Sequence, residues 1–64
     1  MAKSLILYGY GVWELRIVHG PGYRVYFGKK DDCVVLLLLG GDKKSQLNDI
    51  EKAKQYWLDI KDTI

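Results

Sequence analysis

The sequence predicts an α+β fold, an antiparallel β-meander sheet of three to four strands with one C-terminal helix. Residues 11–42 contain three strand-like segments joined by two turn signals. From about residue 45, apolar residues recur at helical spacing instead. The 64 residues form one predicted domain: a lead-in over residues 1–10, a sheet over 11–42 and a helix over 45–62. A chain this short buries only ~60% of its unfolded surface, so association is expected.

The first predicted strand, residues 12–19, alternates between apolar and polar side chains. Successive side chains of a strand point to opposite faces of the sheet, so this alternation predicts one buried face. The positions predicted to face the core are Trp13, Leu15 and Ile17. The opposite, polar face carries Glu14 and Arg16.

Two turn signals enclose the second predicted strand, residues 23–27. In the first, Pro21 fixes φ at one central position of a type II turn and Gly22 accepts the positive φ that the next position needs. The second strand alternates again and places Arg24 and Tyr26 on one face. Residues 28–32 follow and predict a polar hairpin loop.

The third segment, residues 33–39, is an uninterrupted apolar run. Such a run, bounded by turns, is typical of a central strand buried on both faces. One helix covers one face of a sheet, so a second copy, a partner or a missing segment is expected on the other face. Cys33, the single cysteine, opens this run and is predicted to be buried; alone, it can form no intrachain disulfide.

The last segment predicts the helix that closes the sheet. One apolar stripe is spaced at about 3.6 residues and consists of Leu47, Ile50, Ala53, Trp57, Ile60 and Ile64. Ser45 is the predicted N-cap, and Trp57 is predicted to be a core residue. At the other end of the chain, residues 4–11 fit either a short strand or an extended lead-in.

Composition narrows the functional classes. Hydrophobic residues make up 48% and charged residues 28% of the chain, which is typical of a globular protein. No apolar run approaches a membrane span, no signal peptide is evident, and we expect a cytoplasmic protein. His19 is the only histidine and lacks ligand spacing, so no metal or cofactor is predicted. Residues 1–30 carry a net charge of +4 and residues 31–64 a net charge of −2, which fits either an anion-binding sheet face or a solvated one.

Three sequence blocks, in this order, carry a resemblance to a known family. They are Trp-Glu-Leu-Arg at residues 13–16, Gly-Pro-Gly-Tyr-Arg-Val-Tyr at 20–26 and Gly-Gly-Asp-Lys at 40–43. Over about residues 11–61 the chain resembles the RelE/HigB-type toxins of bacterial toxin–antitoxin systems, and within them the addiction module killer proteins. Full members begin with a strand and a helical pair before the segment that matches Trp13. The resemblance therefore implies a RelE-like fold truncated at its N-terminus.

The resemblance implies a function, partners and site residues. Such toxins cleave mRNA without a metal, typically on the ribosome, and are bound by a cognate antitoxin protein. The 2′-hydroxyl attacks the adjacent phosphate, so the site must stabilise negative charge, a task that suits arginine and lysine. The catalytic candidates are Arg24, Arg16 and Lys43. The RNA-binding candidates are Lys44, Gln46, Tyr26, Lys29 and Lys30.

Several alternatives stay open on the sequence. Glu14 is either the ion-pair partner of a strand arginine or a proton acceptor, and Tyr26 either stacks on a base or packs across strands. The chain is either an active ribonuclease, a truncated inactive toxin that binds its antitoxin or itself, or a non-catalytic RNA-binding protein. The unpaired edges of the sheet predict a homodimer formed by strand pairing.

Overall fold

A computed structural model describes residues 2–18, 22–41 and 43–63 of the chain. Four strands form one antiparallel sheet in the order β1-β2-β3-β4, and a C-terminal helix lies on one face. The strands are β1 (Ala2–Leu7), β2 (Val12–Val18), β3 (Tyr23–Lys30) and β4 (Cys33–Gly40). A 3-10 turn (Lys43–Ser45) leads into α1 (Gln46–Ile60), and a second one (Lys61–Thr63) follows it. The α+β fold predicted from the sequence is confirmed.

The N-terminal segment is a full strand of the sheet and not an extended lead-in. β1 runs antiparallel to β2, with Leu5 opposite Leu15 and Leu7 opposite Trp13. The connection between β1 and β2 requires glycine, because Gly9 and Gly11 have positive φ values of 90° and 83°. The sheet therefore begins at residue 2, not at residue 11 as the sequence predicted.

The two later turns differ in how well the sequence predicted them. Gly22 has the expected positive φ of 88°, while residues 19–21, which include His19 and the turn proline, lie outside the described residues. The β3–β4 hairpin is tighter than expected. Lys30 pairs directly with Cys33, so only Asp31 and Asp32 form the turn and residues 28–30 belong to β3.

The apolar strand β4 lies at the edge of the sheet, so the prediction of a central strand is wrong for this chain. Its lack of alternation has a local cause. The register shifts between Tyr26 and Phe27, which face Leu38 and Leu36, so that Leu37 is an extra residue in β4. Leu37 and Leu38 both pack against the core beneath the helix. The run therefore combines a β-bulge, which places Leu37 and Leu38 together on the core side, with apolar side chains on the opposite face at Val34, Leu36 and Leu39.

The helix packs on the polar face of the central strands, which corrects the prediction that the Trp13 face is the buried one. Val12, Glu14 and Tyr26 are fully buried beneath α1. The fit depends on Gly28, because a Cβ there would overlap the ring of Trp57. The Trp57 Nε1 donates a hydrogen bond of 2.6 Å to the carbonyl oxygen of Tyr10. The Trp57 ring thus packs against the sheet at a position where the strand has no side chain.

The helix itself follows the prediction with two corrections. Ile50, Ala53 and Trp57 are buried, as the apolar stripe requires. Leu47 is 81% exposed, and its expected place is taken by Asp49, which is buried. Ser45 occupies the N-cap position but makes no capping bond from its side chain. Ile64 lies outside the described residues.

The opposite face of the sheet, which we call the open face, is covered by no described element. Pairing and parity assign to it Leu5, Leu7, Trp13, Leu15, Ile17, Tyr23, Val25, Phe27, Val34, Leu36 and Leu39, with Lys29 beside Val34 at the end of β3. Trp13 and Phe27 stack there with ring centroids 6.5 Å apart.

Cys33, expected to be buried, is exposed at the start of β4. The described helix falls short of the length and apolarity needed to cross a bilayer.

Candidate phosphate-binding site

Strand pairing brings the two predicted catalytic arginines together beneath the start of α1. Arg16 of β2 lies directly opposite Arg24 of β3, and Gly40 of β4 lies opposite Arg24 on the other side. Like charges directly opposite one another destabilise a sheet unless something compensates them. The surrounding groups decide which of the two arginines is compensated.

Glu14 compensates Arg16. Its carboxylate is fully buried and accepts a hydrogen bond from Arg16 Nε at 2.9 Å, within an ion pair of 2.8 Å to Arg16 Nη2. The Tyr8 hydroxyl donates to the same carboxylate at 2.8 Å, and Gln46 Nε2 donates to it at 3.3 Å. Of the two roles left open for Glu14, the structure shows the ion pair. Because its hydrogen-bonding capacity is taken up and it is shielded from solvent, it is poorly placed to accept a proton from a substrate.

Arg24 has no such partner. The residue is 8% exposed, and its Nε lies buried without a hydrogen-bond partner in the described structure. The nearest buried acid on the helix, Asp49, accepts a hydrogen bond of 2.9 Å from the Ser45 hydroxyl. A buried charge without an ion pair is costly unless an anion joins it. Arg24 is therefore the group in this cluster that is set up to receive an anion.

Tyr26 packs within the cluster. Its ring is fully buried, so it cannot stack on a base, and the packing alternative left open by the sequence holds. Its hydroxyl is buried without a geometrically acceptable hydrogen-bond partner in the described structure. Burial, together with the negative charges of Glu14 and Asp49, raises the pKa of Tyr26 to about 12. Burial and the bond to Glu14 raise the pKa of Tyr8 as well.

The predicted lysines are distributed over both ends of the domain. Lys43 and Lys44 belong to the 3-10 turn before α1, near the arginines; the side chain of Lys43 lies outside the described part of the chain. Lys29 and Lys30 lie at the far end of β3, about 17 Å and about 20 Å from Arg24 at the ordinary rise of a strand. The Nζ of Lys30 donates a 2.7 Å hydrogen bond to the carbonyl oxygen of Lys61, at the end of the helix. The structure does not bring Lys29 and Lys30 to the arginine cluster.

Sequence reasoning missed two members of the cluster. Tyr8 lies in the segment that the sequence left open between a short strand and an extended lead-in, and nothing in its immediate sequence indicates its role. Asp49 had a usable signal, because Asp49, Ala53 and Trp57 are spaced by four residues and so share the sheet-facing side of a helix. A carboxylate on that stripe predicts a polar group opposite it on the sheet.

The cluster suits charge stabilisation better than proton transfer. Arg16 is partly exposed to solvent, with 35% of its side chain accessible, whereas Arg24, on the neighbouring strand, is buried. Guanidinium groups match the geometry of phosphate oxygens and stay charged at any physiological pH. No group of three or more His, Cys, Asp and Glu side chains in the described part of the chain could hold a metal.

Comparison with known proteins supplies one relative and no activity. The chain is 52% identical over 44 residues to an uncharacterized protein of Haemophilus influenzae. The match covers 69% of this chain and 44% of the relative, so the chain spans less than half of that protein's length. No protein-family model and no solved structure match the chain.

Proposed function

We propose that this chain is a toxin of the RelE/HigB type, a cytoplasmic endoribonuclease that binds the mRNA backbone, on the ribosome, through Arg24 and Arg16. One observation carries the proposal: Arg24 is buried, charged and without an ion pair in the described structure. The three sequence blocks that resemble those toxins support it, since Arg24 and Arg16 fall within two of them. A cognate antitoxin protein belongs to the same proposal.

The chemistry assigned to the site is an internal transesterification. The 2′-oxygen of the RNA forms a bond to the adjacent phosphorus while the bond from phosphorus to the 5′-oxygen breaks. The 2′-hydroxyl releases its proton and the departing 5′-oxygen takes one up, which leaves a 2′,3′-cyclic phosphate and a 5′-hydroxyl. Arg24 and Arg16 stabilise the charge that builds on the phosphate oxygens.

The buried state of Glu14 favours a second candidate function, an RNA-binding protein that does not cleave. Glu14 and the hydroxyls of Tyr8 and Tyr26 are held inside the cluster. The described carboxylates of the cluster, Glu14 and Asp49, are both buried, so phosphate binding without proton transfer through a carboxylate is chemically self-consistent.

The deciding experiment measures RNA binding and RNA cleavage together. Binding of a fluorescein-labelled single-stranded RNA is followed by anisotropy over a salt series, for the wild type, Arg24→Met and Lys52→Met. Lys52 is an exposed lysine of α1, so its substitution removes the same charge without touching the cluster. We expect Arg24→Met to weaken binding at least tenfold and to flatten the salt dependence by about one charge, with Lys52→Met close to wild type.

Cleavage is read by mapping new RNA ends in a translating extract and testing them for a cyclic phosphate. Cleavage that Arg24→Met abolishes supports the toxin. Binding that depends on Arg24 without any cleavage supports the second candidate. RNA binding that Arg24→Met leaves unchanged contradicts both.

A further inference from the structure

The open face of the sheet is an apolar surface with a defined order. One row across the four strands is Leu7, Trp13, Phe27 and Leu36, and the next is Leu5, Leu15, Val25 and Leu39. Neither row contains a charged side chain. The helix packs on the opposite face of the sheet.

The extent of this surface exceeds what a monomer normally exposes. Leu5, Leu7, Val34, Leu36 and Leu39 are each between 54% and 68% exposed, and the aromatic pair at the centre adds more. Together these side chains present several hundred Å², at or above the ~300–600 Å² of the largest patch on a typical monomer. The area is of the order of the ~800 Å² per partner that a standard interface buries.

We propose that the open face is the interface between two copies of this chain, packed sheet on sheet about a twofold axis. Both central rows are uncharged, and Lys29, a charged residue that pairing places on this face, lies beyond them at the end of β3. A twofold contact centred on the two rows therefore places no like charges opposite each other at its core. Sheets pack face to face at ~10 Å when both inner faces are apolar. Leu15 and Val25, on the two middle strands, lie where the axis passes, and the more exposed leucines of β1 and β4 close around them.

The proposal differs from strand pairing at an edge, which uses backbone groups. A dimer built on the open face depends on the side chains of that face. The arginine cluster lies on the opposite face of each sheet, next to the helix, and is not part of the interface. The proposal does not rest on the proposed function, because the arginines play no part in it.

The test is the mass in solution, by light scattering behind a sizing column, for the wild type and three variants. Leu36→Glu and Leu39→Lys each place a charge on the open face, at positions that are 59% and 68% exposed. Leu47→Glu is the matched control, since Leu47 is exposed on the helix. Circular dichroism checks that every variant is folded.

We expect a dimer for the wild type and for Leu47→Glu, and a folded monomer for the two open-face variants. A wild-type monomer at the highest concentration tested would overturn the proposal. So would a dimer that survives both Leu36→Glu and Leu39→Lys, a result that would place the contact at a strand edge.

Discussion

Arg16 and Arg24 occupy opposite positions on neighbouring strands, yet their energetic roles differ. Arg16 neutralises a carboxylate that is fully buried, so its removal leaves Glu14 charged and short of a partner. Arg24 makes no ion pair in the described structure and its Nε has no hydrogen-bond partner, so its burial carries a desolvation cost. The same substitution at the two positions should therefore have opposite effects on the stability of the fold.

We expect Arg16→Met to lower the free energy of unfolding by about 1–3 kcal/mol, because Glu14 keeps only the bonds from Tyr8 and Gln46. We expect Arg24→Met to leave it unchanged or raise it by on the order of 1 kcal/mol, while RNA binding is lost. Urea unfolding followed by circular dichroism measures both. Equal destabilisation by the two substitutions would show that Arg24 has a structural partner.

Tyr26 gives the cluster a signature at alkaline pH. Its pKa is raised to about 12 in the folded protein, above an unfolded value of ~10. Between these values the unfolded chain has lost the proton that the folded chain still holds, so the Tyr26 contribution is intact below pH ~10 and is lost as pH rises towards 12. The loss amounts to roughly 3 kcal/mol for a fully buried group.

We expect Tyr26→Phe to reduce this alkaline loss of stability and to cost little at neutral pH, because it removes a hydroxyl that lacks a partner. Chemical unfolding at a series of pH values measures the effect. Identical pH profiles for the variant and the wild type would contradict the assignment.

At the scale of elements, the helix–sheet contact is fixed by a glycine and a tryptophan. A side chain at position 28 would collide with the Trp57 ring, whereas one at Gly41 would meet only a backbone oxygen at 3.6 Å. We expect Gly28→Ala to destabilise the fold by about 1–3 kcal/mol, the cost of overpacking, and Gly41→Ala to be close to neutral. Thermal unfolding of the two variants compares them directly, and similar melting temperatures would mean that Trp57 can move aside.

The same contact explains which elements the sequence predicted and which it did not. Alternation located the two middle strands, and helical spacing located α1, because both are local patterns. The choice of face was wrong because it counted apolar side chains, whereas the helix needed a face with space. Gly28 and Gly40 lie on the parity of Glu14, Arg24 and Tyr26, and that common parity is the signal that the alternation argument left out.

The candidate site was predictable in part, because alternation along a strand is a local pattern. Arg16, Arg24 and Tyr26 share a face by alternation alone, and the structure brings them together. The burial of Tyr26 and the partners of Glu14 depend on a helix contact between residues more than 30 positions apart. No pattern along one strand encodes such a contact. The strand order is not encoded locally either, since apolar side chains on both faces of β4, together with its bulge, made an edge strand resemble a central one.

At the scale of the whole molecule, the described residues form two layers, one helix and one sheet, and no described element covers the second face of the sheet. Folding of the isolated chain buries the polar cluster and Trp57 but leaves exposed leucines of the open face in water. Such a chain is expected to be marginal alone. Association through the open face would add the missing layer, so folding and association should be coupled.

Coupling of this kind makes the melting temperature depend on protein concentration. If two folded copies dissociate as they unfold, mass action stabilises the dimer by ~1.4 kcal/mol for each tenfold rise in concentration, which corresponds to a few degrees. We expect this rise for the wild type and for Leu47→Glu, measured by circular dichroism melts over a hundredfold range. Leu36→Glu should melt at a lower temperature that does not change with concentration. A wild-type melting temperature that is equally independent of concentration would mean that the domain is stable with its open face in water.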